Sequence, residues 1–389
     1  MNLQWTHQFT VLRNLAKAVR EQNGSPLSFS HKSALFGRLQ SGPVFILGSA
    51  TTYARHMLQA AQQVLRVAAV VDDFTDAESI SGVPRVTTEE FIRSAHGSRA
   101  ICCTFSRNGR IHFESAATLA GAEIVHYMQA ADCIPAFAHT HILAKLADET
   151  AARIEELLSI ARDLADDLSI QTLVSVLMGR LTYSREYLES VSVGENCMYF
   201  GLPIFPLGPA ETLVDCGAFD GDTIEKAKSA TADSFAKIIA LEPEPANFAT
   251  LQTRYGQDQR IQLVPCGAAE AQKTAFFHGG MGEMSYASAD AASNGMAITM
   301  TTLDSLLSHT KPTLLKMDIE GGEAAALAGA EETIRTHRPK LAISVYHRPA
   351  DLIELPRQIC KYADGYRFYL RHHRDFFHDT VLYGVPEAA

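Results

Sequence analysis

The N-terminal third of the chain alternates apolar runs with stretches of helical spacing. The segment Pro43–Ala50 is typical of an apolar strand that enters a glycine turn, and a second apolar run, Val67–Val71, ends at the acids Asp72 and Asp73. Continuous apolar runs of this length predict buried strands of a parallel sheet. We therefore expect a Rossmann-like α/β domain over residues 1–142. The other elements predicted there are helices over 3–20 and 53–65 and strands over 100–104 and 122–127.

This first unit carries only part of a nucleotide-binding signal. A dinucleotide-binding turn has the glycine pattern G-x-G-x-x-G, and only its first glycine, Gly48, is present. An acid after the second strand, here Asp72, is where such folds bind a ribose. The pattern predicts the fold and leaves open whether this part of the chain binds a nucleotide.

The stretch that follows is almost entirely helical in its pattern. Apolar residues recur at three- and four-residue spacings between 143 and 188, and few helix breakers interrupt them. We interpret residues 143–193 as a helical connector. Its apolar stripe has two explanations: packing on its own domain, or a homodimer surface.

The pattern of strand and helix returns in the last half of the chain, residues 194–389. Alternation of this kind predicts a mostly parallel seven-stranded sheet with helices on both faces, and ligands bind at the carboxyl ends of its strands. Helices are expected after the first strand, after Pro245, after Glu320 and after Asp351. The strands predicted are 212–215, 238–241, 261–264, 273–277, 298–301, 314–317, 341–345, 366–370 and 379–385.

The first of these strands ends in an acidic glycine turn. Glycines allow the backbone to approach a ligand closely, and free N–H groups lie at the start of the next helix. The turn has acids and no lysine, so it suits a cationic or uncharged group better than a phosphate. The sulfonium and amino-acid end of S-adenosylmethionine (SAM) is such a group. The residues predicted to contact it are Asp215, Cys216, Gly217, Ala218, Asp220, Gly221 and Thr223.

The next two strands supply the remaining cofactor candidates. Glu242 ends the second strand and is followed by Pro243, and a carboxylate at that position can bind both hydroxyls of a ribose. An acid at a strand end is more often a helix cap, but the glycine turn one strand earlier favours ribose binding. Cys266 and Gly267 follow the third strand and are expected near the adenine.

Two later strands end in residues suited to chemistry on an acceptor. Asp318 ends the strand before a dense acidic turn and is predicted both to touch the cofactor and to orient the acceptor. The following strand ends at Tyr346 and His347, and histidine is the side chain best suited to take a proton near neutral pH. We predict His347 as general base, with Asp318 and Tyr346 beside it. Carboxylates can hold Mg²⁺, but no ligand set is defined by the sequence, so no metal is predicted.

The composition of the chain limits the classes of partner that it is expected to bind. The 389 residues are 47% hydrophobic and 20% charged, with a formal net charge of −10. This acidity argues against nucleic acid as a main partner, because binding phosphates needs a basic surface. No apolar run is long enough to span a membrane and no signal-peptide pattern begins the chain, so we expect no membrane insertion. Seven cysteines without C-x-x-C spacing are typical of reduced thiols in a cytoplasm.

Several motifs of the last half resemble the FkbM family of SAM-dependent methyltransferases. The closing strands, Tyr366 to Val385, resemble those of the family, and Gly322 stands where the family often has alanine. The resemblance covers about the last half of the chain and implies an O-methyltransferase of sugar or polyketide hydroxyls, many of them bacterial. The motifs are Asp215–Thr223, Leu241–Pro245, Thr302–Asp304, Lys316–Glu323 and Ala342–His347.

The function expected from residues and resemblance together is SAM-dependent methyl transfer to a hydroxyl of a small molecule or glycan. One alternative is a nicotinamide-dependent enzyme acting on sugars, built on the N-terminal fold. The other is a protein that binds a nucleotide sugar and carries a non-catalytic methyltransferase-like domain. The intact Asp215, Gly217 and Glu242 argue against the second alternative.

Overall fold

The computed structural model describes residues 3–21, 29–104, 107–127, 129–130, 134, 146–182, 184–278, 286–288 and 296–387. The expected boundary between the first unit and the connector, at 142/143, lies outside these residues. Within the described residues, no helix is both long and apolar enough to cross a membrane.

Six strands form the N-terminal sheet: β1 (Val44–Leu47), β2 (Val67–Val71), β3 (Ser79–Ile80), β4 (Val83–Val86), β5 (Arg99–Cys102) and β6 (Glu123–His126). Their order is β3-β4-β2-β1-β5-β6, and all neighbouring pairs except β3–β4 are parallel. Alternate residues of β1 face opposite sides: Val44 and Ile46 pack into one apolar cluster, and Phe45 and Leu47 pack into another. The Rossmann-like sheet expected from the apolar runs is confirmed.

The helices around this sheet have local causes that the sequence shows. Thr51 caps the helix after β1 by accepting a hydrogen bond from the backbone N–H of Ala54. Thr87 and Glu90 form a reciprocal capping box on a later helix. The helices of this half are Leu3–Glu21, Phe29–Gln40, Thr52–Val64, Thr88–Ser94 and Arg107–Ala120.

The connector packs inside the chain. Its longest helix, Asp167–Thr182, is buried along nearly its whole length and lies against both the first helix and the edge strand of the second sheet. The Ser169 hydroxyl accepts a hydrogen bond from the backbone N–H of Leu370, and Arg371 pairs with Asp166 at 2.6 Å. The apolar stripe therefore packs within the chain and does not provide a homodimer surface. The homodimer itself stays a prediction. The other connector helices are Leu146–Ala152, Ile154–Ser159, the 3-10 turn Ile160–Arg162 and Glu186–Glu189.

Seven strands form the C-terminal sheet: β7 (Thr212–Cys216), β8 (Lys237–Leu241), β9 (Ile261–Val264), β14 (Leu314–Met317), β15 (Lys340–Ser344), β16 (Tyr366–His372) and β17 (Thr380–Pro386). They lie in the order β16-β17-β15-β14-β7-β8-β9. The five strands from β15 to β9 are parallel, and β17 runs antiparallel to both of its neighbours. The predicted seven-stranded, mostly parallel sheet is confirmed.

Two of the nine strands predicted here belong elsewhere. The stretches that include 273–277 and 298–301 pair with each other in antiparallel fashion and form a separate four-stranded sheet with two short strands. The apolar pattern could not separate the two sheets, because it reports burial and not the partner strand. The small sheet consists of β10 (Gly267–Ala268), β11 (Lys273–His278), β12 (Tyr286–Ser288) and β13 (Met296–Thr301).

Helices cover both faces of the large sheet, as expected. The helix after β8 begins with Pro245 in its first turn, where its fixed backbone angle suits a helix start and no hydrogen-bond donor is lost. The helices are Asp222–Ala230, Pro245–Tyr255, Leu303–Leu306, Glu323–Ala328, Glu331–His337 and Asp351–Tyr362, with a 3-10 turn at Glu195–Cys197.

Candidate active site

The glycine loop after β7 is pressed against the loop after β14. Gly217 has φ +83°, and a Cβ placed on it would lie 2.0 Å from the carbonyl oxygen of Asp318. The backbone N–H groups of Gly217 and Ala218 both donate to the carbonyl oxygen of Leu241, which fixes the loop to β8. Only glycine satisfies both the backbone angle and the close approach. The loop thus joins the ends of β7, β8 and β14.

We expect Gly217→Ala to destabilise the protein by more than the cost of the backbone angle alone. Gly201 is a matched control, since it has φ +86° and no atom within 4 Å of a built Cβ. Gly201→Ala should cost about 1–2 kcal/mol for the left-handed backbone, and Gly217→Ala should cost clearly more, because Asp318 must move. Urea unfolding of both variants measures the difference. Equal losses would contradict the close approach.

A buried ion pair lies under this loop. Lys316, in the middle of β14, places its Nζ 2.9 Å from Oδ1 of Asp215 at the end of β7, and both side chains are almost fully buried. Nζ also donates to the carbonyl oxygen of Gly217 at 2.8 Å. Burial raises the pKa of Asp215 to about 6, although the Lys316 cation acts in the opposite direction. Asp215 was predicted to contact the cofactor, and the partner that its carboxylate has in the structure is Lys316.

Glu242, at the end of β8, holds the neighbouring loops. Its Oε2 accepts a hydrogen bond from the backbone N–H of Phe219, and its Oε1 accepts one from the backbone N–H of Glu244, both at 2.9 Å. Burial raises the pKa of Glu242, and these two donors counteract that effect. Each carboxylate oxygen keeps a second lone pair. The predicted ribose contact is compatible with this geometry and stays a prediction.

The other predicted cofactor residues lie in or beside three loops at the same edge. The side chains of Cys216 and Ala218 are fully buried, so only their backbone groups can face a ligand. The carboxylate of Asp220 accepts a hydrogen bond from the backbone N–H of Asp222. Cys216 ends β7, Ala218, Asp220 and Gly221 lie in the loop after it, Thr223 is in the helix that follows, Pro243 follows β8, Cys266 follows β9 and Gly267 begins β10.

Asp318, the residue after β14, accepts hydrogen bonds from two tyrosine hydroxyls. Tyr199 donates to its Oδ2 at 2.7 Å, and Tyr346 donates to its Oδ1 at 3.1 Å. Burial would raise the pKa of Asp318, but His347, Lys316 and Tyr199 together lower it to about 2. The carboxylate is therefore ionised and held by hydrogen bonds, while its side chain stays 22% exposed.

His347, after β15, is enclosed by carboxylates. Its Nδ1 lies 2.9 Å from Oε1 of Glu323, and its Nε2 lies 3.4 Å from one oxygen each of Asp318 and Glu320. Burial alone would lower the pKa of His347, but the carboxylates of Glu323 and Glu320 raise it well above its ordinary value. The imidazole is thus held as a cation here. An imidazolium has no lone pair for a proton, so the charge state favoured by these carboxylates opposes the general-base role, which stays a prediction.

The acidic turn is built on an unusual backbone. Glu320 has φ +55° and is followed by Gly321 at φ +93°. A left-handed conformation at a residue other than glycine costs free energy and persists where the surroundings enforce it. Here it directs Glu320 back toward the imidazole ring of His347.

The loop between β16 and β17 carries contacts from the N-terminal half and the connector. Arg110 donates to Oδ1 of Asp375 at 2.6 Å, and Arg185 donates to Oδ2 of the same carboxylate at 2.8 Å. The guanidinium of Arg110 also lies over the ring of Phe376, 4.6 Å from its centroid. One carboxylate of this loop is therefore held by two cations from elsewhere in the chain.

The same loop reaches the site through its rings. Phe376 stacks on His378 with centroids 5.8 Å apart, and His378 meets the ring of Tyr346 edge-on at 5.6 Å. The hydroxyl of Tyr346 in turn donates to Asp318. A continuous set of contacts thus links the N-terminal helix Arg107–Ala120 to the carboxylate at the centre of the site.

We expect Asp375→Asn to loosen this loop without affecting the rest of the fold. Losing the charge on one partner of such hydrogen bonds costs about 1–3 kcal/mol, so peptides covering 373–379 should exchange their amide hydrogens faster. Asp258→Asn is the control, since Asp258 pairs at 2.7 Å with the more exposed Arg260. Mass-detected hydrogen exchange of both variants measures the effect. Unchanged exchange in that loop would contradict a clamping role.

The acid at the N-terminal candidate site is already engaged. The hydroxyl of Ser49 donates to Oδ2 of Asp72, and the backbone N–H of Phe74 donates to Oδ1 at 2.9 Å. Asp72 is 3% exposed. These contacts satisfy one lone pair of each oxygen within the fold. Whether this half of the chain binds a nucleotide stays an open question.

Tyr199 and Lys316 are among the site residues that the sequence interpretation missed. Tyr199 lies near the start of the second unit, before its first strand, and no pattern there marks a hydrogen bond to Asp318. Lys316 offered a signal: a lysine inside a strand that is otherwise apolar needs a buried counter-charge. Asp215, on the adjacent strand and paired in register with Lys316, supplies it.

The sheet order and a site at the carboxyl ends of β7 and β14 define the Rossmann-like methyltransferase class. Residues 215–379 match the methyltransferase FkbM domain. The crystal structure of Methyltransferase FkbM from Methylobacillus flagellatus KT is similar over 97% of this chain and 99% of that chain, at 27% identity and a TM-score of 0.76. Residues 215–379 are thus similar to an FkbM methyltransferase domain, and both findings support a methyltransferase.

Two other solved structures are similar to about half of the chain. Fibrillarin from Aeropyrum pernix, in complex with natively bound S-adenosyl-L-methionine, is 13% identical over 48% of this chain and 70% of that chain, with a TM-score of 0.32. An rRNA methylase from Streptococcus thermophilus is 12% identical over 49% of this chain and 98% of that chain, with a TM-score of 0.31. These two similarities are too weak to carry an argument. Among curated proteins, none matches the chain.

Proposed function

We propose that the protein is an O-methyltransferase that transfers the methyl group of SAM to a hydroxyl of a small molecule or glycan. The observation that carries the proposal is the contact between the glycine loop and Asp318. At Gly217 the loop suited to SAM lies against the backbone carbonyl of Asp318, the residue whose carboxylate is suited to an acceptor hydroxyl. Methyl transfer requires this neighbourhood, because donor carbon and acceptor oxygen must lie in line.

Charge supports SAM as the donor. The Lys316 cation is taken up by Asp215, so it does not make the loop attractive to a phosphate. Acids at Asp220 and Asp222 border the loop, and both are partly exposed. The sulfonium and ammonium groups of SAM are cations, and they suit such surroundings better than a phosphate does. Glu242, at the next strand end, is placed to accept hydrogen bonds from a ribose through its remaining lone pairs.

The acceptor side suits an uncharged, hydroxyl-bearing molecule. Asp318 and the hydroxyls of Tyr199 and Tyr346 form a polar patch that can accept from and donate to a hydroxyl. An anionic acceptor would meet Asp318, Glu320 and Glu323 at once, at high electrostatic cost. We therefore propose a sugar or polyketide-like acceptor, or a sugar nucleotide whose uncharged sugar faces this patch and whose phosphates lie away from it, bound through its hydroxyl groups.

We expect Glu242→Gln to weaken SAM binding about 10- to 100-fold, as for the loss of hydrogen bonds to a charged acceptor. Glu244→Gln is the matched control: this acid lies two residues away, and its carboxylate accepts from Asn247 at 2.8 Å. Titration calorimetry with SAM measures both. Equal affinity in the two variants would remove Glu242 from the cofactor site.

The proposal is tested by following a labelled methyl group. The protein is incubated with methyl-tritiated SAM and pools of sugars, sugar nucleotides and polyketide-like alcohols, and the labelled product is identified by mass spectrometry and NMR. We expect a methyl ether on a hydroxyl. Transfer to a nitrogen or to a carboxylate instead would overturn the O-methylation while leaving a methyltransferase.

A further inference from the structure

The cluster around His347 has the composition of a metal site. One ligand atom each of Asp318, Glu323 and His347 lies within 4.8 Å of the others, and Glu320 reaches the same ring. Two ligands at right angles, each about 2.1 Å from a metal ion, lie about 3.0 Å apart. The 3.4 Å from Nε2 of His347 to the carboxylate oxygens of Asp318 and Glu320 is close to that spacing.

A second observation points to a missing partner. Nε2 of His347 makes no hydrogen bond, although the side chain is 1% exposed. A buried polar nitrogen that makes no hydrogen bond is rare in folded proteins, and the two carboxylate oxygens nearest to this one are 3.4 Å away. This atom points between two carboxylates, which is where a cation would lie. The two carboxylates are 22% and 29% exposed, so an ion can enter from solvent on that side.

The other nitrogen of the His347 ring, Nδ1, is already held. Nδ1 of His347 faces Oε1 of Glu323, and that same oxygen accepts a hydrogen bond from the backbone N–H of Ile319 at 2.9 Å. A carboxylate that holds the far nitrogen of a histidine is the usual support of a metal-binding imidazole. When a cation binds, the Nε2 proton would pass to solvent and its lone pair would face the ion, while Nδ1 keeps its proton on Glu323.

We propose that Asp318, Glu320 and Nε2 of His347 bind a divalent cation, with Glu323 orienting the imidazole. One imidazole and two carboxylates suit Mn²⁺ or Mg²⁺, with open positions for water or an acceptor hydroxyl. The role of the ion in catalysis rests on the proposed methyl transfer. The binding of the ion does not depend on it.

The ion would promote loss of the proton from the acceptor hydroxyl, a role that an imidazolium at His347 does not fill. A hydroxyl bound to a divalent cation loses its proton more readily, and that proton passes to solvent water. The oxygen then forms a bond to the methyl carbon as the carbon–sulfur bond breaks, and the electron pair stays on sulfur. The products are a methyl ether, S-adenosylhomocysteine and one proton. His347 is in this account a ligand and not the base.

The test is a titration of the full chain, freed of metal with a chelator, with MnCl₂, with bound ion measured by electron paramagnetic resonance. We expect one site per chain and a hyperfine coupling from one imidazole nitrogen. His347→Gln should weaken binding more than about 100-fold, and Glu323→Gln about 10- to 100-fold, as for an orienting carboxylate. Glu270→Gln, an exposed acid paired with Lys273, should bind like wild type.

The outcomes separate this proposal from the proposed function. Absence of stoichiometric binding at millimolar Mn²⁺, or binding without nitrogen coupling, overturns the metal site. If SAM binds and Mn²⁺ does not, only this inference fails. If Mn²⁺ binds in this way and SAM does not, the metal site stands and the methyl transfer fails. Circular dichroism of each variant shows that it is folded, and the nitrogen coupling in wild type needs no variant at all.

Discussion

Asp318→Asn is expected to lower methyl transfer by about 10²- to 10⁴-fold, the range in which groups that move or hold the reacting proton contribute. Asp318 joins every part of the proposed acceptor site: it receives the hydroxyls of Tyr199 and Tyr346, and it faces the ring of His347. Asparagine has the same shape and removes the negative charge. SAM affinity should change little, because the loop contact at Gly217 involves the Asp318 backbone.

Tyr199→Phe is the companion variant. It removes one hydroxyl donor and keeps the ring, which lies 5.2 Å from the Lys316 ammonium group. We expect about 10-fold slower transfer, in keeping with one hydrogen bond to a charged group. Turnover is measured with tritiated SAM and the identified acceptor, and SAM affinity by calorimetry. An Asp318→Asn variant as active as wild type would show that the polar patch does not bind the acceptor.

Lys316→Met is expected to have the largest effect on stability. It leaves the Asp215 carboxylate buried without its cation, and removing one partner of a buried ion pair costs about 3–5 kcal/mol. The double variant Asp215→Asn with Lys316→Met should lose less, since no charge remains unpaired. Lys273→Met, at an exposed pair with Glu270, should change the free energy of unfolding by about 0–1 kcal/mol.

The pH dependence of the Lys316→Met variant follows from Asp215. In wild type burial raises the pKa of this carboxyl to about 6, with Asp222 and Asp318 adding to the rise and only Lys316 opposing it. Without Lys316 the folded-state pKa is higher still, while the unfolded value is about 3.9. The folded state then binds more protons, so the free energy of unfolding falls as pH rises from about 4 through 6 and beyond. Urea unfolding at several pH values measures it. A loss that does not depend on pH would contradict a buried, ionisable Asp215.

Much of the C-terminal fold could be predicted because its strands are short apolar runs bounded by acids and glycines. The strand Leu314–Met317 was predicted to the residue, and Asp215 and Asp318 were expected at strand ends, where the structure has them. The apolar pattern did not show that β7 and β14 lie side by side in the sheet. It depends on sheet order, which places β14 beside β7 although nearly a hundred residues separate them.

The chemistry of His347 is the part that sequence reasoning could not reach. A histidine next to a tyrosine at a strand end indicated a base, but the charge state of an imidazole depends on which carboxylates fold against it. The helix expected after Glu320 begins at Glu323. The side chain of Glu323 also lies 2.9 Å from Nδ1 of His347, a contact that the sequence pattern does not mark.

The role of the N-terminal half stays a proposal. The separate strand and helix pattern of this half predicts a unit of its own, yet its apolar residues share one cluster with the connector and the C-terminal sheet, for example Leu12, Leu173 and Phe368. Its arginine Arg110 holds the loop that carries His378. We propose that this half supports the acceptor side of the site. A fragment that begins near Gly194 would expose part of that cluster.

The central claim is that a SAM-derived ligand lies on the Asp215–Gly221 loop with its sulfur directed toward Asp318. A crystal structure with S-adenosylhomocysteine tests it most directly. We predict the ribose hydroxyls on Glu242, the adenine near Cys266 and Gly267, and the sulfur facing the patch formed by Asp318 and the two tyrosines. Ligand bound with its sulfur turned away from Asp318, or bound at the N-terminal sheet instead, would contradict this account.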